Sequence, residues 1–252
     1  DIPYRAQDVE YGRRFLVKLW NVSSFASKLL EDYNPKENVE VELQLLDKWI
    51  VSKTENLTKK VTDAFEKCQF NIAVEEIRNF TWHVFCDFYI EAIKDRLYRP
   101  DVHGKTSRLA AQHTLYEVLY RVLQLISPVT PHLTEEIYQY MYKDHKGYPS
   151  IQVSAWPKFD SEKISEAAEN NGDLITAIMS EIRRDKAEKK LPLNAPIKNL
   201  IIYARKDEEA VTIKKGCVDI ASTLKIENIS VDTEKIEGRQ VSQYEVYIKP
   251  EY

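Results

Sequence analysis

The chain has 252 residues, 43% hydrophobic and 30% charged, enough for one large globular domain or two ordinary ones. A net charge of −4 excludes a generic nucleic-acid coat, which grips many phosphates through a basic balance, so any RNA has to bind at a local patch. No stretch is long and apolar enough to span a bilayer, and the three cysteines (Cys68, Cys86, Cys217) are far apart, so neither a membrane protein nor a disulfide framework is expected.

The polar N-terminus is not a signal peptide, and a reducing cytoplasm is the expected compartment. The chain opens on Asp1 rather than methionine, as expected of a piece of a longer polypeptide. With only six glycines, residues 1–145 read as long amphipathic helices. The first covers 6–32, with Tyr11, Phe15, Leu19, Val22, Ala26 and Leu29 as its core stripe, and it ends before Asn34-Pro35. A second, over 43–68, carries Leu43, Leu46, Trp49, Ile50, Leu57, Val61 and Phe65. A third, over 71–98, presents Ala73, Ile77, Phe80, Val84 and Phe88, and Arg99-Pro100 stops it. A fourth covers 107–126. Thr130 and Pro131 open a short fifth, as N-cap and first helical residue, with Glu135 and Glu136 near its positive end. Helices with short links predict an up-and-down bundle.

The pattern changes near Gly147. Residues 150–157 read as an extended connector whose Trp156 packs onto one domain, and a strongly polar helix follows over 164–190. The hydrophobic period then switches from 3.6 to 2, predicting strands at 199–204, 223–231 and 241–248 and a short helix at 208–215. The expected organisation is a helical bundle over 1–145, a connector over 146–159 and a small α/β domain over 160–252. The fold class is therefore mainly α.

No catalytic set emerges: the sequence has no glycine-rich phosphate loop, no GxSxG elbow and no Cys-x-x-Cys. His83 and Cys86 share a helix face without a second ligand pair, which predicts core or rim residues rather than a metal site. His132, at a helix start, reads as a capping or packing residue. What remains is a ladder on the first helix. Arg14, Lys18, Asn21, Phe25 and Lys28 recur at i, i+4, i+7, i+11 and i+14, hence along one flank beside the core stripe. Cations, an amide and a ring are what unstacked bases and their phosphates require, although a basic flank can also be merely solvated. Two further basic groups stand apart. Arg183, Arg184 and Lys186 end the polar helix, where cations also serve as dipole partners. Arg96, Arg99, His103, Lys105 and Arg108 surround Gly104 as a candidate phosphate clamp.

Several motifs in order resemble one family, the valyl-tRNA synthetases. Asp1-Ile2-Pro3-Tyr4, Gly12-Arg13-Arg14-Phe15 and Lys18-Leu19-Trp20-Asn21 resemble the helix after the catalytic core. Asp47-Lys48-Trp49-Ile50 is similar to the opening of the second bundle helix. Phe70-Asn71 with Trp82, Phe85, Asp87, Tyr89 and Ile90 resembles the third helix. Pro131-His132-Leu133-Thr134-Glu135-Glu136 and Ser150 with Ala155-Trp156-Pro157 are shared across the wider class I group. Lys189 with Leu191-Pro192-Leu193-Asn194-Ala195-Pro196 is similar to a valyl-type connection, and its Leu193-Asn194-Ala195-Pro196 together with Lys18-Leu19-Trp20-Asn21 favours valine over isoleucine or leucine.

The resemblance covers essentially the whole chain and implies an archaeal-type anticodon-binding region, because bacterial members end in a coiled coil where residues 223–252 read as strands. It implies a valine tRNA as partner, together with catalytic and editing domains of the same polypeptide, and a monomer that joins no membrane. The HIGH and KMSKS signatures that hold ATP are absent, so no catalytic residue and no cofactor are expected here. ATP and magnesium are expected of the full-length family member alone. Lys18 and Phe25 match the family's anticodon contacts, and Arg14 and Asn21 join them by geometry. Lys28, Arg183, Arg184 and Lys186 are expected as secondary contacts. Ser24 stands where the family often has arginine, leaving Arg14 or Lys28 to supply that cation. The rival readings are an isoleucyl-type anticodon region and a helical protein-interaction module.

Overall fold

Core-facing stripes set the helical half of the molecule. The computed structural model describes residues 5–36, 41–234 and 236–252, so the Asp1-Ile2-Pro3-Tyr4 motif lies outside the described residues. Helix α1 (Ala6–Leu29) buries Phe15, Leu19, Val22, Ala26 and Leu29. Tyr11, expected on that stripe, is instead exposed, its ring lying 4.2 Å from the Arg78 guanidinium. The first turns of α1 are exposed, so the core stripe begins only at Phe15.

Helix α2 (Leu45–Glu66) starts with a capping box in which the Gln44 N–H donates to Asp47 Oδ2 at 3.0 Å. The predicted third helix is continuous in space but not in winding. It comprises α3 (Phe70–Asn79), a π-helical stretch (Phe80–Ile90) and α4 (Glu91–Tyr98). The wider π turn carries more residues per revolution, so the buried face moves from the expected Val84 and Phe88, which are half-buried, to Phe85, Cys86, Tyr89 and Ile90. Phe80 and Phe85, five apart, then stack with ring centroids 6.4 Å apart.

The turn α5 (Pro100–His103) leads through Gly104, at φ +86°, into α6 (Lys105–Ile126). Helix α7 (Pro131–Met141) begins where Thr130-Pro131 predicts, but Thr130 does not cap it: its hydroxyl donates back to the Ile126 carbonyl at 3.4 Å. A short α8 (Lys143–Lys146) follows. The connector is not extended throughout, since Ile151–Val153 make a 3₁₀ turn. Glu135 holds it, accepting from the Ser150 hydroxyl at 2.7 Å and the Ile151 N–H at 3.1 Å. Trp156 packs edge-on against Phe65 and donates to the Thr62 hydroxyl at 2.9 Å.

The polar helix α9 (Glu166–Glu188) lies along α2 as well as against the sheet unit. Trp49 Nε1 donates to Asp173 at 2.8 Å, Lys53 pairs with Asp173 at 2.9 Å, and Ser52 donates to Glu169 at 2.6 Å. Close approach requires Gly172, where a Cβ would fall on the Trp49 side chain. The sheet runs β2–β1–β4–β3, built from β1 (Ile197–Ala204), β2 (Ile226–Asp232), β3 (Arg239–Gln240) and β4 (Val246–Glu251). β1 and β2 are parallel, with Ile202 opposite Val231, and β4 is antiparallel to β1, with Ile202 opposite Ile248. The crossover α10 (Asp207–Leu224) is longer than the predicted 208–215 helix and takes Thr223 and Leu224 out of the expected strand. Strand β4 likewise begins later than expected, because residues 242–245 turn, with Ser242 at φ +43°.

Candidate nucleic-acid interface

The ladder on α1 faces two grooves rather than one. Lys18, Asn21 and Phe25 form one wall of a groove of about 230 Å³, and Cys86, Ile90 and Lys94 form the other. The opposite wall exists because Cys86, Ile90 and Lys94 recur every fourth residue from the π-helical stretch into α4, so one strip faces α1. Phe25 is half-buried: its ring meets Tyr98 edge-on at 6.4 Å, and Lys94 Nζ stands 5.5 Å from its centroid. Lys94 is itself paired with Glu91 at 2.5 Å.

Lys18 sits between Asp87 Oδ1, 3.3 Å away, and the face of Trp82, 5.3 Å from its centroid. Asn21 is exposed at the groove edge. Burial pushes the Cys86 thiol on the opposite wall up to about 12, which keeps it protonated near neutral pH. His83 turns outward beside Asp87, Nδ1 to Oδ2 being 3.4 Å.

The remaining ladder residues divide. Arg14, a turn above Lys18, is held by Glu10 at 3.2 Å, and Arg13 shares that carboxylate at 2.7 Å. Hydrogen bonds from Arg13 and then Arg14 hold the Glu10 carboxyl down to about 2. Lys28 does not join this groove. It lines a second one between α1 and α7 together with Ser24, the position where an arginine was expected.

The secondary candidates also separate. Arg183 packs on the π-helical stretch: its guanidinium donates to the Asp87 carbonyl at 3.0 Å and lies over Phe88 at 5.0 Å, and burial lowers its pKa. Arg184 faces solvent on another side, bonded to Glu188 at 3.2 Å. Lys186 is a correction, because it is fully buried. Its ammonium donates to the carbonyls of Leu193, Ala195 and Leu224 at 3.1, 2.7 and 3.1 Å. It follows Ile178 and Ile182 at four-residue steps along the buried face of α9, a spacing the sequence displays.

The candidate clamp around Gly104 is a second correction. Arg96 is buried and forked onto Asp47 at 3.0 and 2.8 Å, with Tyr89 donating to the same carboxylate at 2.8 Å. Arg108 is spent on Asp32 and the Leu97 carbonyl, and Arg99 and His103 both meet Asp95. These cations tie helices together, leaving Lys105 exposed without a described partner.

Sequence reasoning named Asp87 and Trp82 only as motif residues and missed Lys94. All three flank the Lys18–Phe25 strip, and the four-residue recurrence through Cys86 and Ile90 was the available signal for Lys94. In this site, cations paired with single carboxylates surround a half-exposed ring. That arrangement favours a planar, anionic ligand that can stack and replace a carboxylate.

Comparison with known proteins agrees with this architecture. Residues 47–202, the larger part of the chain, match the family described as the anticodon-binding domain of tRNA ligase, and the chain belongs to that family. Helix α1 precedes the matched span but lies within the alignments to individual relatives. A valine–tRNA ligase of Pyrococcus horikoshii is 38% identical over the whole chain, and one of Thermococcus kodakarensis is 39% identical over the whole chain. A valine–tRNA ligase of Methanothermobacter thermautotrophicus is 43% identical over 92% of the chain. The chain spans about a quarter of the length of these relatives, 27%, 27% and 25% respectively.

Proposed function

We propose that this chain reads the anticodon loop of a valine tRNA in the groove between α1 and the π-helical stretch. The observation that carries the reading is the placement of Phe25. A half-exposed ring at a groove edge, with Lys94 beside it and Lys18 on the same wall, offers a stacking face to an unpaired base and cations to its phosphates. Family membership supports an anticodon as the loop that is read, and the relatives' shared name supports valine. The net charge of −4 supports recognition by stacking and shape more than by phosphate density.

In this reading the chain is one part of a longer ligase that joins valine to its tRNA, and it acts there as a monomer in the cytoplasm. ATP and magnesium belong to the catalytic portion, and loop binding here requires neither. No helix of the described residues is long and apolar enough to cross a membrane.

The test is fluorescence anisotropy with a labelled stem-loop carrying a valine anticodon, an isoleucine stem-loop and an unstructured RNA of equal length. Tighter binding of the valine loop than of either control is expected. Equal affinity for both stem-loops would remove valine specificity. No preference over unstructured RNA would favour a helical protein-interaction module instead.

A further inference from the structure

Helix α1 has a second groove on its other flank, against α7, that the anticodon reading leaves unused. Its volume is about 270 Å³. Trp20 on α1 and Tyr140 on α7 line it, 47% and 81% exposed, and neither the indole N–H nor the phenol hydroxyl has a described partner. Exposed rings at the mouth of a groove offer stacking faces, and their hydrated N–H and O–H groups can exchange water for a ligand.

Two further features point to a polar ligand. Lys28 and Glu136 both line the same groove, and Lys28 carries no ion pair among the described residues. The groove continues through Ser27, Tyr140 and Met141 into a pocket of about 330 Å³ lined in part by Tyr116. Tyr116 is 2% exposed, and its buried hydroxyl has no hydrogen-bond partner among the described residues.

We propose that the α1–α7 groove is a second nucleobase site. An unpaired base of the same RNA loop stacks there against Trp20 and Tyr140 while Lys28 meets its phosphate. The inference rests on the anticodon reading of the Phe25 groove. The strand would cross the exposed crest of α1 at Asn21 and Ser24, placing one base on each flank. That crest explains why the ladder diverges, with Lys18 and Phe25 on one side and Lys28 on the other.

The experiment uses the whole chain, the valine anticodon stem-loop, and versions of that loop made abasic at one position at a time. Trp20→Ala and Tyr140→Ala should each weaken the intact loop about five- to tenfold, the range for a base losing its platform. For one particular abasic loop this loss should vanish, and that position should differ from the one at which the effect of Phe25→Ala vanishes. Circular dichroism melts should match the wild type, because both rings are solvent-facing.

If Phe25→Ala weakens binding while Trp20→Ala and Tyr140→Ala do not, the second site is wrong and the first reading stands. The groove would then be free to meet a protein surface. If none of the three variants weakens binding, both fall. A Tyr140→Ala loss that persists with every abasic loop also overturns the proposal.

Discussion

A lysine ammonium has three N–H donors, and at Lys186 all three go to backbone carbonyls: two from the loop after α9 and one from the end of α10. Burial lowers its pKa, yet the three acceptors keep a role for the charged form. Lys186→Met should cost about 2–3 kcal/mol of stability, because it leaves buried carbonyls unpaired. A urea titration measures that cost, and stem-loop affinity of the folded protein should be unchanged. The residue shows why composition misleads at this scale. Arg183, Arg184 and Lys186 read as one basic run, yet the turn of the helix sends them to the π-helical stretch, to solvent and to the core. Arg96, paired with buried Asp47, makes the same point: a charge on the core stripe of a helix is a structural charge. Phe25 was legible for the converse reason, since a ring beside a core stripe, rather than on it, stays available at the surface.

At the scale of elements, the long amphipathic helices were legible because their stripes are strictly periodic, whereas the π-helical stretch was not. Phe80, Val84 and Phe88 satisfy an α pattern as well as Phe80, Phe85 and Tyr89 satisfy a π one, and only packing against α1 and α2 decides between them. Strand limits failed for a related reason: Thr223 and Leu224 have strand-like side chains but complete the helix that carries Leu224 into the core. The crossing of α2 and α9 depends on Gly172. Gly172→Ala should force α9 off Trp49 and destabilise by about 1–3 kcal/mol, read by thermal melting, despite alanine's better helix propensity.

The packing of α10 against α4 carries a pH signature. Asp219 is buried beside Arg96, Asp47 and His103, and burial pushes its carboxyl up to about 6 from 3.8. The folded state therefore holds this proton more tightly than the unfolded chain. The contribution to stability is lost as pH rises from about 4 through 6 and is flat above. Asp219→Asn should flatten that slope and raise stability at pH 7 by on the order of 2 kcal/mol, measured by denaturation across the pH range.

At the scale of the whole molecule, the helical bundle and the sheet unit share α9, which packs on α2 along one side and on α10 and β4 along others. The change of hydrophobic period near residue 196 announced two kinds of structure, but period alone does not show which neighbour a polar helix joins. Its polar seam with α2, through Ser52, Lys53, Glu169 and Asp173, uses the residues that made α9 look solvated. The grooves that flank α1 exist only because α4, the π-helical stretch and α7 are brought against it, so a single-helix reading could locate the ladder but not divide it.

The central claim is that the Lys18–Phe25 groove holds a stacked, unpaired base with a phosphate at Lys18. The most direct measurement is the salt dependence of valine stem-loop binding by the wild type, Phe25→Ala and Lys18→Ala. Phe25→Ala should weaken binding by about 1–3 kcal/mol with an unchanged log–log slope. Lys18→Ala should weaken it and lower the slope by about 1. Unchanged affinity in Phe25→Ala with the fold intact would contradict the account.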